Sequence, residues 1–325
     1  MKTLKIRRMV FTSLILMLIL IPVMSACQQA PANQGATNSE AKISVSGAFA
    51  LYPMMIKWAE EYQKINPNIK IDVSAGGAGK GMTDTLSGMV DIGMVSRDVK
   101  TEEVNQGAFG IAVTKDAVFP TVNEENPVLQ DLMRIGVTKD IFSGIFIKKD
   151  ITIWGQVVGK PEVTDAIHIY TRSDACGAAD VWAAFLGGKQ ENLTGIGVSG
   201  DPGISEAVSK DALGLGYNNL NYAFDVDTGK PVKGIMTIPI DVNGNGKADE
   251  TELLDTKEKA VQAIANGQYP SPPARLLYLV TKGQPSGAVL DFILWILGDG
   301  QKYEGEVGYI NLTETQLADQ KAKLK

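Results

Sequence analysis

Two cysteines and one histidine are all that this 325-residue chain holds of either type, and the shortage removes whole classes of chemistry. A zinc set or a Ser–His–Asp triad needs more imidazole than His168 alone supplies, and that residue lies in a strand-like pattern that reads as structural. Carboxylate-only hydrolysis needs a marked acidic pair; none stands out, so no enzyme is expected. Basic residues are also scarce: 31 Lys and Arg face 37 Asp and Glu, a net charge of −6, and no basic cluster offsets it. Nucleic acid is therefore not an expected partner. No internal repeat points to a solenoid. Long apolar runs are missing too, apart from Met9 to Ala26, which is barely long enough to span a bilayer.

That single run carries information. Lys2, Lys5, Arg7 and Arg8 precede it, and Val23-Met24-Ser25-Ala26 lead into Cys27. A basic start, an apolar stretch and small residues before a cut form a secretory signal over residues 1–26. A cysteine directly after Ser25-Ala26 resembles a lipobox, so Cys27 is expected to be lipidated and the chain to lie outside the cytoplasm, anchored to the cell membrane. Residues 27–41, rich in Gln, Ala, Pro, Asn, Gly, Thr and Ser, read as a flexible tether. Losing four leader cations takes the net charge from −6 to −10 (−6 minus 4). Cys176 is then left without an intrachain partner, so a packed core, not disulfides, must hold the exported fold. A monomer is the default expectation.

From Lys42 onward, short β-branched runs alternate with helical patterns. Strands are expected at 43–46, 69–74, 92–95, 167–171 and 276–281. Helices are expected at 52–65, from the glycine-rich turn to about Gly88, and at 178–186 and 287–297. The first helix places Met55, Trp58, Ala59 and Tyr62 on one face. Strand–helix–strand alternation implies an α/β architecture with parallel pairing, and ligands beyond the carboxyl ends of the strands. Breaks at Asn126-Pro127 and Ser271-Pro272-Pro273 imply one lobe inserted into another.

Four stretches together resemble the phosphate-binding proteins of ABC importers, within the periplasmic-binding-protein superfamily. They are SGAFALYP (46–53) before KWAEEY, SAGGAGKG (74–81), VDIGMVSRD (90–98) and YTRSDACGAADVW (170–182). DIFSGI, GDPGISEAV and PPARLLYLVTKG extend the likeness over nearly all of residues 42–312. The resemblance implies a two-lobe α/β fold of type 2, each lobe a mixed sheet flanked by helices, joined by a two-segment hinge. It places the outer lobe at 42–118 plus 274–325 and the second at 119–273. It implies a solute-binding protein that takes phosphate or a related oxyanion in a cleft between lobes and delivers it to a membrane permease.

Elementary electrostatics points the same way. A loop entering a helix leaves backbone N–H groups unpaired, and the helix dipole adds positive potential there. The turns at 48–50, 78–80 and 176–178 are such starts, and Arg172 adds a forked cationic donor. The candidate ligand residues are thus Gly47, Ala48, Phe49, Ala50, Ala78, Gly79, Ser96, Arg172, Cys176, Gly177 and Ala178. Where the resemblance implies hydroxyls, this chain has Ala48, Phe49, Ala50, Ala78, Cys176 and Ala178. Each lost donor removes about 0.5–1.5 kcal/mol. Several together would weaken phosphate binding on the order of a thousandfold unless backbone amides, Arg172 and Lys80 replace them. The other reading of these losses is a surface or sensor protein of the same fold that no longer binds phosphate. Phe49 reads equally as core or as a pocket wall. Cys176 at a helix start would have a lowered pKa; the plainer reading is a quiet small residue. GGAGKG is not a nucleotide loop, because Ser74 and Gly81 stand where that motif needs Gly and Ser or Thr.

A second motif is independent of the first. Asp241, Asn243, Asn245, Gly246, Asp249 and Glu252 fill positions 1, 3, 5, 6, 9 and 12 of the twelve-residue calcium loop, with Lys247 offering its carbonyl at position 7. A strand is expected just before it, at 234–240, so no paired helices exist to open. A structural calcium clip is expected rather than a sensor; no other cofactor is.

Overall fold

The computed structural model describes residues 41–325. The expected leader, Cys27 with its expected lipidation and all but the last residue of the expected tether lie outside the described residues. Among the described residues nine strands, together with five of the helices, follow in chain order. β1 (Ala41–Gly47) leads into α1 (Tyr52–Ile65), β2 (Ile69–Ala75), α2 (Ala78–Leu86), β3 (Ile92–Val95) and the 16-residue β4 (Ala108–Asn123). Then come β5 (His168–Arg172), α3 (Gly177–Phe185), β6 (Ile196–Val198), α4 (Gly200–Ser209), β7 (Gly214–Asn219), β8 (Ile235–Thr237), β9 (Ala274–Lys282) and α5 (Gly287–Ile296).

The expected parallel pairing holds only in part. β1 runs parallel to β2 and β3, and β5 runs parallel to β6 and β7. In the middle, β9 pairs antiparallel with both β3 and β4, and β4 pairs antiparallel with β7 and β8. The order is β2-β1-β3-β9-β4-β7-β5-β6, with β8 on β4. β4 escaped sequence reading because it is buried on both faces over most of its length, leaving no period-two alternation to detect. The strand expected at 234–240 shortens to Ile235–Thr237.

Two large apolar cores result, and β4 and β9 run through both. The first gathers side chains between Ile43 and Val113 and between Leu277 and Leu324; the second gathers those between Ala117 and Ala274, with Ile310. Along β4, Ile111 and Val113 belong to the first core, while Ala117, Val118, Phe119 and Val122 belong to the second. β9 makes the same passage in reverse, from Ala274 to Leu277, Leu279 and Val280. α1 buries Met54, Met55, Trp58, Ala59 and Tyr62, and the Trp58 indole donates to the Gly300 carbonyl at 2.9 Å. Burying side chains of this size contributes roughly 1.5–3 kcal/mol each.

A buried carboxylic acid sits beside the passage of β4. The Thr114 hydroxyl lies 3.0 Å from Glu304 Oε2 and 3.1 Å from the Ile310 carbonyl. A hydroxyl has one proton; given to the carbonyl, it leaves Glu304 to donate, which requires the neutral acid. Burial pushes Glu304 up to about 8, against the hydrogen bonds it shares with Thr114 and Gln301. With the folded pKa raised, this group's contribution is present below the unfolded value near 4.5 and lost as pH rises through 8. Glu304→Gln is expected to flatten the decline in stability between pH 5 and pH 8, leaving the variant the more stable by on the order of 3 kcal/mol at pH 8. Urea unfolding at the two pH values decides it. Parallel curves for the two proteins would mean that Glu304 is ionised throughout.

Candidate functional site

The three glycine turns meet. Gly47 adopts a φ of 135°, which only glycine holds readily, and its carbonyl accepts the Gly76 and Gly77 amides at 2.9 and 3.0 Å. A Cβ at Gly77 would stand 2.6 Å from Asp174 Oδ2, so the second turn rests directly on the loop after β5. The Gly79 amide donates to the Ala175 carbonyl at 3.0 Å. Gly177, the first residue of α3, faces Ser96 so closely that any Cβ would collide with the Ser96 carbonyl and hydroxyl. Ala48, Ala50, Ala78, Ser96, Cys176, Gly177 and Ala178 are all buried here. Some helix-start amides are already spent: besides Gly79, the Ala179 amide donates to Cys176 Sγ at 3.4 Å and Cys176 donates to Gln190 at 3.2 Å.

Arg172 occupies the centre with its side chain 1% exposed. Nε and Nη2 donate to the two oxygens of Asp174 at 2.8 and 2.6 Å, a forked pair, and Nη1 donates to Asp201 at 2.6 Å. Burial opposes the charge, but Asp201 and Asp174 outweigh it and hold the guanidinium pKa above its ordinary value. Burial likewise opposes ionisation of Asp174, yet the adjacent guanidinium keeps its carboxyl below the usual range. The ring of Phe49 lies over the guanidinium at 5.3 Å, edge-on to Tyr222, and leans on Gly200. Phe49 is thus half-buried against the guanidinium instead of filling a core.

Several expectations need correction. Cys176 caps α3 as foreseen, but its thiol is pushed up to about 12, because burial outweighs the help of Arg172. It is the quiet small residue, packed in the second core. Lys80 turns along its own helix to pair with Asp84, which also accepts from Ser46 at 2.7 Å, so it does not reach the site. Sequence reading missed the carboxylates. Asp174 lay two residues from Arg172 in a stretch already singled out and was the available signal; Asp201 lies in GDPGISEAV, also singled out, but 29 positions away nothing local tied it to Arg172.

A further charged layer backs the site. Asp201 also accepts from the Asn219 amide at 2.9 Å and its side chain at 2.8 Å. Arg275 donates to Asn219 and lies 3.5 Å from Asp116, whose carboxyl burial raises to about 6 despite Arg275. At the rim, Arg97 forms a forked pair with Glu103 at 2.6 and 2.9 Å and reaches Asp180 on α3 at 3.1 Å. Arg97 follows β3 and Asp180 rides on α3, so this contact joins segments anchored in different cores. A cavity of 500 Å³ opens beside these groups.

The acidic loop closes on itself. Asp241, buried, accepts the amides of Gly244, Asn245 and Gly246 at 2.7, 3.2 and 2.9 Å. Asn243 and Asn245 both donate to Asp249, at 2.8 and 2.9 Å, and the Lys247 amide donates to Asn245. Glu252 accepts the amides of Val242 and Asp249. Among the described residues no three His, Cys, Asp or Glu side chains converge as a ready metal cluster.

A sheet of this topology, with two strands passing between paired cores and a buried arginine among glycine turns, defines a binding-protein architecture. The chain belongs to the PBP superfamily, whose domain model matches residues 31–300. Among curated proteins it is 28% identical to Protein SphX of Synechococcus elongatus over 90% of this chain and 84% of that one. It is 26% identical to the phosphate-binding protein PstS of Methanocaldococcus jannaschii, over 91% and 90%. Among solved structures, an ABC-type phosphate transport receptor from Vibrio cholerae superposes with a TM-score of 0.60 at 20% identity, covering 84% of this chain and 100% of that one. The likeness to solved structures establishes the two-lobe fold. Among the described residues no helix is long and apolar enough to cross a membrane.

Proposed function

We propose that this protein is the extracytoplasmic solute-binding component of an ABC importer, held to the membrane through Cys27, and that it captures phosphate or a related oxyanion between two lobes. The lobes would divide near residues 118 and 274, where β4 and β9 pass between the cores. The observation that carries the reading is the convergence of the three turns on Arg172, with Ser96 against Gly177 and Gly79 bonded to Ala175. The Gly177 and Ala178 amides at the start of α3 and the unshared guanidinium N–H groups would supply donors without hydroxyls. Names of relatives such as the Methanocaldococcus jannaschii phosphate-binding protein favour the same ligand class. A membrane permease is the corresponding partner.

A thermal-shift series on the mature domain tests this directly, with phosphate, sulfate, molybdate, phosphonates, phosphate monoesters and small organic acids at millimolar concentration. A rise in melting temperature is expected with at least one tetrahedral oxyanion and with no organic acid. Silence across the whole series would instead favour the surface or sensor reading, for which the six residues lacking hydroxyls are the support.

The loop at 241–252 is read as a calcium clip. Its donor set fits: every ligand position offers oxygen, and the carboxylates of Asp241, Asp249 and Glu252 would exchange amide partners for the ion. Calcium is expected to raise the melting temperature, and Glu252→Ala to abolish that rise. An intact protein indifferent to calcium would end the idea.

A further inference from the structure

The 500 Å³ cavity beside Arg172 is far larger than an inorganic oxyanion needs. Five heavy atoms fill roughly 150 Å³ at about 30 Å³ each, the share of a water molecule in the liquid. Cavities of this size ordinarily hold organic ligands. Its lining mixes the apolar side chains of Ala175, Cys176 and Leu193 with the charged ones of Arg97, Lys100, Asp180 and Glu191.

Charge balance around the guanidinium sharpens the point. Arg172 carries +1 and its two partners −1 each, so the trio is −1 before any ligand arrives. All three guanidinium nitrogens already donate, leaving two of five N–H groups for a ligand (5 − 3). The small residues around it provide no hydroxyls. Recognition of a bare phosphate, which relies wholly on polar contacts, is therefore thin. Of the cations that line the cavity, Lys100 has the loosest partner: it is 56% exposed and 4.0 Å from Asp180.

We propose that the ligand is a tetrahedral oxyanion bearing one organic substituent, with the oxyanion at Arg172 and the α3 amides and the substituent packed in the cavity against Leu193 and Ala175. This rests on the oxyanion-binding reading given above and narrows it. Burial of the substituent supplies what the absent hydroxyls do not. Phosphate monoesters and phosphonates share the required chemistry, and a test should sample both.

The experiment is calorimetric titration of the mature domain with inorganic phosphate, glycerol 3-phosphate and 2-aminoethylphosphonate. At least one substituted compound is expected to bind tenfold or more tightly than phosphate. Leu193→Trp fills the cavity from an apolar lining position, and Glu191→Trp does so from an exposed position on which no core depends. Each is expected to remove that advantage while leaving phosphate affinity within about twofold. Phosphate binding as tightly as both substituted compounds, or tryptophan variants that weaken all three alike, would overturn the narrowing and leave the oxyanion reading standing. No binding of any of the three to the unaltered protein would defeat both.

Discussion

Arg172→Met is expected to lower unfolding stability by about 3–5 kcal/mol at pH 7 and to abolish anion binding. Methionine approximates the length of the side chain but leaves two carboxylates, one fully buried on Asp201, facing each other without a cation. Breaking a buried pair by removing one partner costs that much, because the surviving charge has lost its compensation. The dependence on pH has a definite sign. In the unaltered protein Asp174 has a depressed pKa, so its contribution is present above the unfolded value near 3.8 and fades as pH falls through the folded one. In the variant the unpaired carboxylates take up protons more readily. The gap between the two proteins should therefore narrow from pH 7 to pH 4. Adding Asp201→Asn to the variant should restore part of the lost stability, and it keeps the test readable if the single variant does not fold. A deficit below about 1 kcal/mol that ignores pH would mean the trio is not the charged cluster described.

Gly177→Ala separates binding from folding. Gly177 begins α3 with a backbone that does not need a positive φ, so alanine suits its own helix, and better than glycine does. What forbids a Cβ is Ser96, on the segment after β3, anchored in the other core. If the lobes close around a ligand by a hinge motion, the methyl group blocks only the closed arrangement. Unliganded stability is expected to stay within about 1 kcal/mol of the parent, while affinity for the best-binding oxyanion falls a hundredfold or more, about 2.7 kcal/mol. Urea unfolding and calorimetry measure the two quantities separately. An unchanged affinity would show that Ser96 and Gly177 do not need to meet for binding, whereas lost stability with retained affinity would show a single rigid body.

Local pattern made much of the fold legible. α1 was expected at 52–65 and occupies Tyr52–Ile65, because its apolar residues recur at helical spacing and Asn66 stops it. β3, only four residues long, was equally readable between two turns. β4 was not, since a strand buried on both faces and shared by two cores has neither alternation nor a single apolar neighbourhood. The site divides in the same way. Glycine turns and Arg172 announce themselves within a few residues, and Asp174 stood beside Arg172 in plain view. Asp201, Asp116 and Arg275 come from distant segments and meet only once the strands are ordered.

Sequence alone determined the alternation of elements, the positions where glycine is required and the family likeness, because each depends on spacing between neighbours along the chain. Tertiary structure decided which carboxylates neutralise Arg172, that Phe49 covers it and that Cys176 is sealed into a core. Electrostatic energy and burial depend on separation in space, and a distance between residues 172 and 201 is set by β-sheet order rather than by the 28 residues that lie between them.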